Sequence, residues 1–137
     1  MAVALVAVVG VVAAVVLARG GPPGLEARWR LHAGGVVVGA PIVAGPTIFV
    51  ATRSGELVAV DADTGEGRWR LESGERVLGA PVAAGGLVFL ATEVIGSGAG
   101  HVFGVDARTG TEQWRVVIDA PFAGRVAVSD GIVFVSA

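Results

Sequence analysis

The 137-residue chain has no cysteine, lysine, asparagine or tyrosine. Without cysteine there is no disulfide, no thiolate metal ligand, no cysteine nucleophile and no lipid-modified N-terminal cysteine. The basic residues number 10 against 12 carboxylates, for a formal net charge of −2. That balance excludes the basic excess expected of a nucleic-acid-binding surface. Charge itself is scarce: 16% of residues are charged, below the usual quarter, whereas 53% are hydrophobic and 22 residues are glycine. Such a chain is neither disordered nor a coiled coil, and its length suits about one domain.

Charge is missing altogether from Met1 to Ala18, a run of alanine, valine and leucine broken only by Gly10. As a helix this run would extend about 27 Å, near the roughly 30 Å hydrocarbon core of a bilayer. Three readings compete: a membrane anchor, a cleaved signal peptide, or a buried strand. The signal peptide lacks a basic n-region, and Ala18-Arg19-Gly20 is a poor cleavage site. The expectation adopted is a helical anchor or signal segment over 1–19, with membrane contact through residues 1–18. Arg19 is the nearest flanking charge, so orientation is left open. Gly20-Gly21-Pro22-Pro23-Gly24 cannot continue a helix, and 20–27 reads as a linker.

From residue 28 to 137 the chain repeats itself. Trp29, Trp69 and Trp114 are spaced by 40 and 45 residues, and Phe49, Phe89 and Phe134 have the same spacing. An insertion explains the difference: Arg53 and Ser54 separate Thr52 from Gly55, whereas Glu93 to Ala99 separate Thr92 from Gly100. A period of about 40 to 45 residues built from short apolar runs predicts four-stranded propeller blades. Gly85-Gly86 and Asp130-Gly131 predict two-residue hairpin turns, where positive φ is required. Gly45-Pro46 departs from this chemistry, and a looser turn is expected there. Runs such as Ile48-Phe49-Val50-Ala51 and Leu87-Val88-Phe89-Leu90-Ala91 do not alternate with polar residues, which predicts sheets covered on both faces.

Ala59-Val60-Asp61-Ala62-Asp63-Thr64-Gly65-Glu66-Gly67-Arg68-Trp69 is matched by Gly104-Val105-Asp106-Ala107-Arg108-Thr109-Gly110-Thr111-Glu112-Gln113-Trp114. Both fit small-x-Asp-x-x-Thr-Gly-x-x-x-Trp. Asp61 and Asp106 can accept backbone N–H groups two residues on and close a turn. Gly65 and Gly110 can supply positive φ. Trp69 and Trp114 return on an outer strand and present a flat ring to the adjacent blade, and Ala59 or Gly104 leaves room for such a ring.

The two copies resemble the tryptophan-docking motif of the pyrroloquinoline quinone (PQQ)-like β-propeller repeat family. That family includes quinoprotein alcohol dehydrogenases and non-catalytic propellers, such as the outer-membrane-protein assembly lipoprotein and the sensor domains of bacterial Ser/Thr kinases. The resemblance implies an all-β fold of four-stranded antiparallel blades, and it spans about Leu25 to Ala137. At roughly 42 residues per blade this is about 2.7 blades, fewer than the 4 to 8 of a closed propeller, so an incomplete propeller is expected. Alcohol-oxidising members use adjacent cysteines, a calcium ion held by Glu, Asn and Asp, and a catalytic Asp. The chain has no Cys or Asn, and none of its carboxylates sits in a matching motif, so no such position is carried over.

Other candidate chemistry is sparse. His101 with Glu93 makes a two-ligand metal pair at most, and His32 stands alone. Asp61, Asp63, Asp106 and Asp119 offer no spacing that marks a catalytic carboxylate pair or a calcium loop. The glycines form no dinucleotide fingerprint, and no serine sits in a nucleophile elbow. The insertion 93–99 could be a binding loop or a neutral length variation. The expectation is a non-enzymatic, membrane-attached, extracytoplasmic propeller that binds proteins, with no cofactor, no metal and no assigned small-molecule ligand. The alternatives are part of a PQQ-dependent dehydrogenase or a receptor-kinase sensor.

Overall fold

The computed structural model describes residues 2–8, 11–17, 27–121 and 124–136, with side chains from Trp29 onward. The described residues are all-β, with fourteen strands among them in antiparallel sheets. The second sheet is a complete blade: β4 (Ile42–Ala44), β5 (Thr47–Ala51), β6 (Glu56–Asp61) and β7 (Gly67–Glu72) pair in chain order. The third holds β9 (Val82–Ala84), β10 (Leu87–Glu93), β11 (Gly100–Asp106) and β12 (Glu112–Ile118), with β8 (Arg76–Val77) also on β10. β13 (Val126–Ser129) and β14 (Ile132–Val135) form a two-stranded sheet.

Turn chemistry sets these hairpins. Gly85 and Gly86 have φ of 59° and 80°, and Asp130 and Gly131 have 50° and 75°, so both pairs take positive φ at both central positions. Gly45-Pro46 proves equally tight, because Ala44 pairs with Thr47 directly across it. Gly45 has φ 57° and Pro46 is fixed at negative φ by its ring, the sign pattern of a type II′ turn. The expected loosening is therefore absent.

Blade packing explains the unbroken apolar strands. Along β5 and β6, Phe49, Ala51, Leu57 and Ala59 join Val77, Val88, Leu90, Phe103 and Val105 in one core between the second and third sheets. Ile48, Val50, Val58 and Val60 point the opposite way and join Ala33, with Trp29 and Leu31 against them. Alternate side chains leave opposite faces of a strand, so a continuous apolar run here fills two interfaces.

In the N-terminal run β1 (Ala2–Val8) and β2 (Val11–Leu17) pair with each other, and β2 pairs with β3 (Ala27–His32). Among the described residues no helix is long and apolar enough to cross a membrane. The valine-rich composition suits a strand covered on both faces as well as it suits lipid. The register is that of the other blades. Ala14 lies opposite Trp29, as Ala59 lies opposite Trp69 and Gly104 opposite Trp114, and each pairing is followed by a register shift. Of the expected 1–19 segment, residues 1, 9–10 and 18–19 lie outside the described residues, as do 20–26 of the expected linker.

Candidate functional site

The Asp-x-x-Thr-Gly turns are built alike. Asp61 Oδ1 accepts the N–H groups of Asp63 (2.9 Å) and Thr64 (3.0 Å), and Asp106 Oδ1 accepts those of Arg108 (2.8 Å) and Thr109 (3.0 Å). The Gly65 and Gly110 N–H groups each return 2.9 Å to the aspartate carbonyl. Thr64 Oγ1 accepts from Glu66 N, and Thr109 Oγ1 from Thr111 N. An ion pair with Arg68 Nη2 (2.7 Å), together with the two backbone donors, holds the Asp61 carboxyl down at about 2. Gln113 stands at the place of Arg68 in the second copy. There the Thr109 and Arg108 N–H groups lower the Asp106 carboxyl.

Each turn receives a tryptophan from the preceding blade. Trp29 Nε1 donates to the Ala62 carbonyl (3.2 Å), and Trp69 Nε1 to the Ala107 carbonyl (2.9 Å). Gly65 (φ 74°) lies under the Trp29 ring, where a Cβ would come within 2.5 Å of Cδ2. Gly110 (φ 75°) lies under Trp69, with the same gap at 2.6 Å. These glycines are thus required twice, for backbone sign and for ring contact. Within their own blades, Trp69 sits 5.7 Å from Phe49 and Trp114 5.7 Å from Phe89, ring centre to ring centre. A Cβ on Gly104 would collide with the Trp114 indole, which explains the small residue opposite the ring. Trp114 borders a cavity of about 300 Å³ that it shares with Val102, Val116, Ile118, Val133 and Val135.

Polar side chains gather at the other end of the blades. Glu75 Oε2 accepts from Thr92 Oγ1 (2.5 Å) and lies 2.8 Å from His101 Nδ1, and Glu75 Oε1 is 3.5 Å from Arg115 Nη1. Arg115 also holds Glu112 through two 3.1 Å bonds and covers the Phe103 ring at 4.3 Å. Burial pushes the Glu75 carboxyl up. The hydrogen bonds from Thr92 and His101, and the charges of His101 and Arg115, outweigh burial and leave it below its ordinary value. The second blade has a simpler tie, Arg70 Nη1 to Glu56 Oε1 at 2.8 Å.

The expected Glu93–His101 pair is not brought together as a ligand set. Glu93 faces Arg76 at 3.6 Å, and His101 faces Glu75. His32, Asp63 and Asp119 are exposed. Among the described residues no three His, Asp or Glu side chains group closely enough to hold a metal ion. Neither Glu75 nor Arg115 stood out in the sequence. Arg115 repeats Arg70 at the 45-residue offset, which was the available signal.

A comparison with curated protein sequences found no match. The crystal structure of BamB from Moraxella catarrhalis is 30% identical, with a TM-score of 0.63 over 82% of this chain and 31% of that one. A europium-containing methanol dehydrogenase superposes with a TM-score of 0.72 at 23% identity, over 84% of this chain and 23% of that one. The quinohemoprotein alcohol dehydrogenase from Comamonas testosteroni reaches 0.68 at 23% identity, over 84% and 19%. The chain thus spans under a third of the length of each, and the two dehydrogenases speak for the fold alone. The family model described as outer membrane protein assembly factor BamB matches residues 10–134, beginning inside the uncharged N-terminal run, and the chain belongs to this family of PQQ-like β-propeller repeats.

Proposed function

We propose that the chain is a non-catalytic propeller module that works outside the cytoplasm by holding other proteins. The observation that carries this reading is that the motif shared with quinoproteins is spent on contacts between blades. Trp29 and Trp69 lie on Gly65 and Gly110, and Asp61 and Asp106 close turns. In this reading Ala59, Asp61, Thr64, Gly65 and Trp69, with Gly104, Asp106, Thr109, Gly110 and Trp114, form a docking device with no catalytic member.

A PQQ site fits poorly. The chain has no cysteine or asparagine, and its carboxylates make no cluster among the described residues to hold the quinone's calcium ion. The dehydrogenase alternative is tested by titrating the purified chain with PQQ and Ca²⁺ and following dye-linked alcohol oxidation. No saturable quinone binding and no dye reduction are expected. Stoichiometric binding with alcohol-dependent dye reduction would overturn the proposal.

We also propose that residues 2–8 and 11–17 are blade strands, a reading supported by the β2–β3 register and by a family match that begins at residue 10. Attachment to a membrane, where it occurs, then does not run through these strands. Sodium carbonate at high pH should release the chain from bacterial membranes. Retention in the pellet would restore the anchor.

A further inference from the structure

The inserted loop 93–99 is a built structure. Val94 N donates to the Ala99 carbonyl (3.0 Å) and Ser97 N to the Val94 carbonyl (3.1 Å), while Ser97 Oγ donates to the Val94 carbonyl and accepts from Ala99 N. Gly96 and Gly98 both take positive φ. The loop holds Ile95 in solvent, 80% exposed. Burying an isoleucine is favourable, so a folded loop that displays one leaves apolar surface for a partner to cover.

Ile95 stands on one side of a cleft of about 440 Å³, with Val36, 45% exposed, also in its lining. The lining also includes Arg53 and Arg76, with Ser54 and Gly35. The Arg53 guanidinium has no ion-pair partner among the described residues, and Arg76 has one loose contact, 3.6 Å to Glu93. Glu75 also lines the cleft, but both of its oxygens are already engaged, one by Thr92 and His101 and the other by Arg115. The cleft therefore presents unspent positive charge together with two exposed aliphatic side chains, on a protein whose net charge is −2.

We propose that this cleft binds an extended segment of a partner protein in which carboxylates alternate with aliphatic side chains. The carboxylates meet Arg53 and Arg76, and the aliphatic groups cover Ile95 and Val36. A small inorganic anion would leave both apolar side chains uncovered. A nucleic acid would lack an aromatic side chain to stack on, since none lines the cleft. The inference rests on the protein-binding reading above and gives that reading a location and a partner chemistry.

The test uses the full chain and a fluorescein-labelled peptide of alternating leucine and aspartate, with a control peptide carrying asparagine for aspartate. Anisotropy should show saturable binding of the first peptide. Binding should weaken by about tenfold or more with Arg53→Glu, with Ile95→Ser and with the asparagine control. Arg53 and Ile95 are both exposed, so circular dichroism should show either variant folded as the parent chain. Absence of binding, equal binding of the asparagine peptide, or indifference to both substitutions would overturn the inference. So would binding of anionic phospholipid vesicles through the same two residues in place of the peptide. A chain that binds neither peptide nor quinone loses this inference and keeps the scaffold reading. Quinone binding with dye reduction removes the scaffold reading whatever the peptide does.

Discussion

The two ends of the blades differ in a way that separates scaffold from surface. At the end that carries the Asp-x-x-Thr-Gly turns, the second and third blades are near copies. Each turn closes on an aspartate with the same two N–H donors, and each accepts a tryptophan ring on its glycine. At the opposite end the same two blades diverge. Glu56 ties to Arg70 in one, whereas Glu75, Thr92, His101 and Arg115 form a network in the other. The β5–β6 connection needs two residues between Thr52 and Gly55, but the β10–β11 connection is the folded loop that lifts Ile95. Repetition persists where each blade must fit the next. It lapses where the loops meet solvent, as expected if those loops carry recognition.

The sharpest way to break this comparison is to attack the repeated end. Trp69→Ala removes a ring packed on Gly110 and Phe49 together with its bond to Ala107. It should cost about 3 kcal/mol in urea unfolding, the lower end of the range for truncating an aromatic, because the ring is half-buried. Gly110→Val should cost about 3 kcal/mol, since it adds backbone strain at φ 75° and pushes on the same ring. Arg53→Glu and Ile95→Ser at the other end should stay within about 0.5 kcal/mol of the parent chain. Comparable losses at both ends would erase the distinction between scaffold and surface.

The repeated end was also the legible end. Turn aspartates, glycines with positive φ and a returning tryptophan are short-range chemistry, so spacing alone disclosed them. The Glu75 network was not legible, because Glu75 lies 26 residues from His101 and meets it through strand pairing rather than through any local pattern. The N-terminal run is ambiguous for a different reason. A run without charge satisfies both a lipid-facing helix and a strand covered on two sides, and hydropathy does not distinguish them. The signal in favour of strands is alignment. Leu5-Val6-Ala7-Val8 runs parallel to Phe49-Val50-Ala51-Thr52 and Phe89-Leu90-Ala91-Thr92. Leu5 pairs with Ala14 as Phe49 pairs with Ala59 and Phe89 with Gly104.

The divergent end should yield intermediate effects that depend on pH. Glu75→Gln keeps the shape but discards the charge that faces His101 and Arg115. A loss of about 1 to 3 kcal/mol is expected at neutral pH. The folded-state pKa of Glu75 lies below its ordinary value of 4.5. Its contribution is therefore complete above that value and disappears as pH falls through the lowered one. Urea unfolding of parent and variant should differ above about pH 5 and converge in stronger acid. A gap that stayed constant down to about pH 2 would mean that the carboxylate charge is not what holds this end together.

The smallest effect sharpens the comparison from within the repeated end, at a place where the two turns differ. Arg68→Gln gives the first turn the glutamine that Gln113 supplies to the second. The backbone donors to Asp61 remain, so the turn should keep its shape, but the 2.7 Å ion pair is lost. Arg68 is the largest cause of the low Asp61 value of about 2, so that carboxyl should titrate at visibly higher pH in the variant. Asp106, held down by the N–H groups of Thr109 and Arg108, should be unchanged and serves as the internal reference. Carbon-detected NMR titration of the aspartate carboxyls reads both in one sample. Because Arg68 and Asp61 are both accessible to solvent, salt should weaken the parent's Asp61 shift while leaving that of the variant nearly constant. An Asp61 carboxyl that titrated identically in parent and variant would show that the turn's own N–H groups suffice to hold it down.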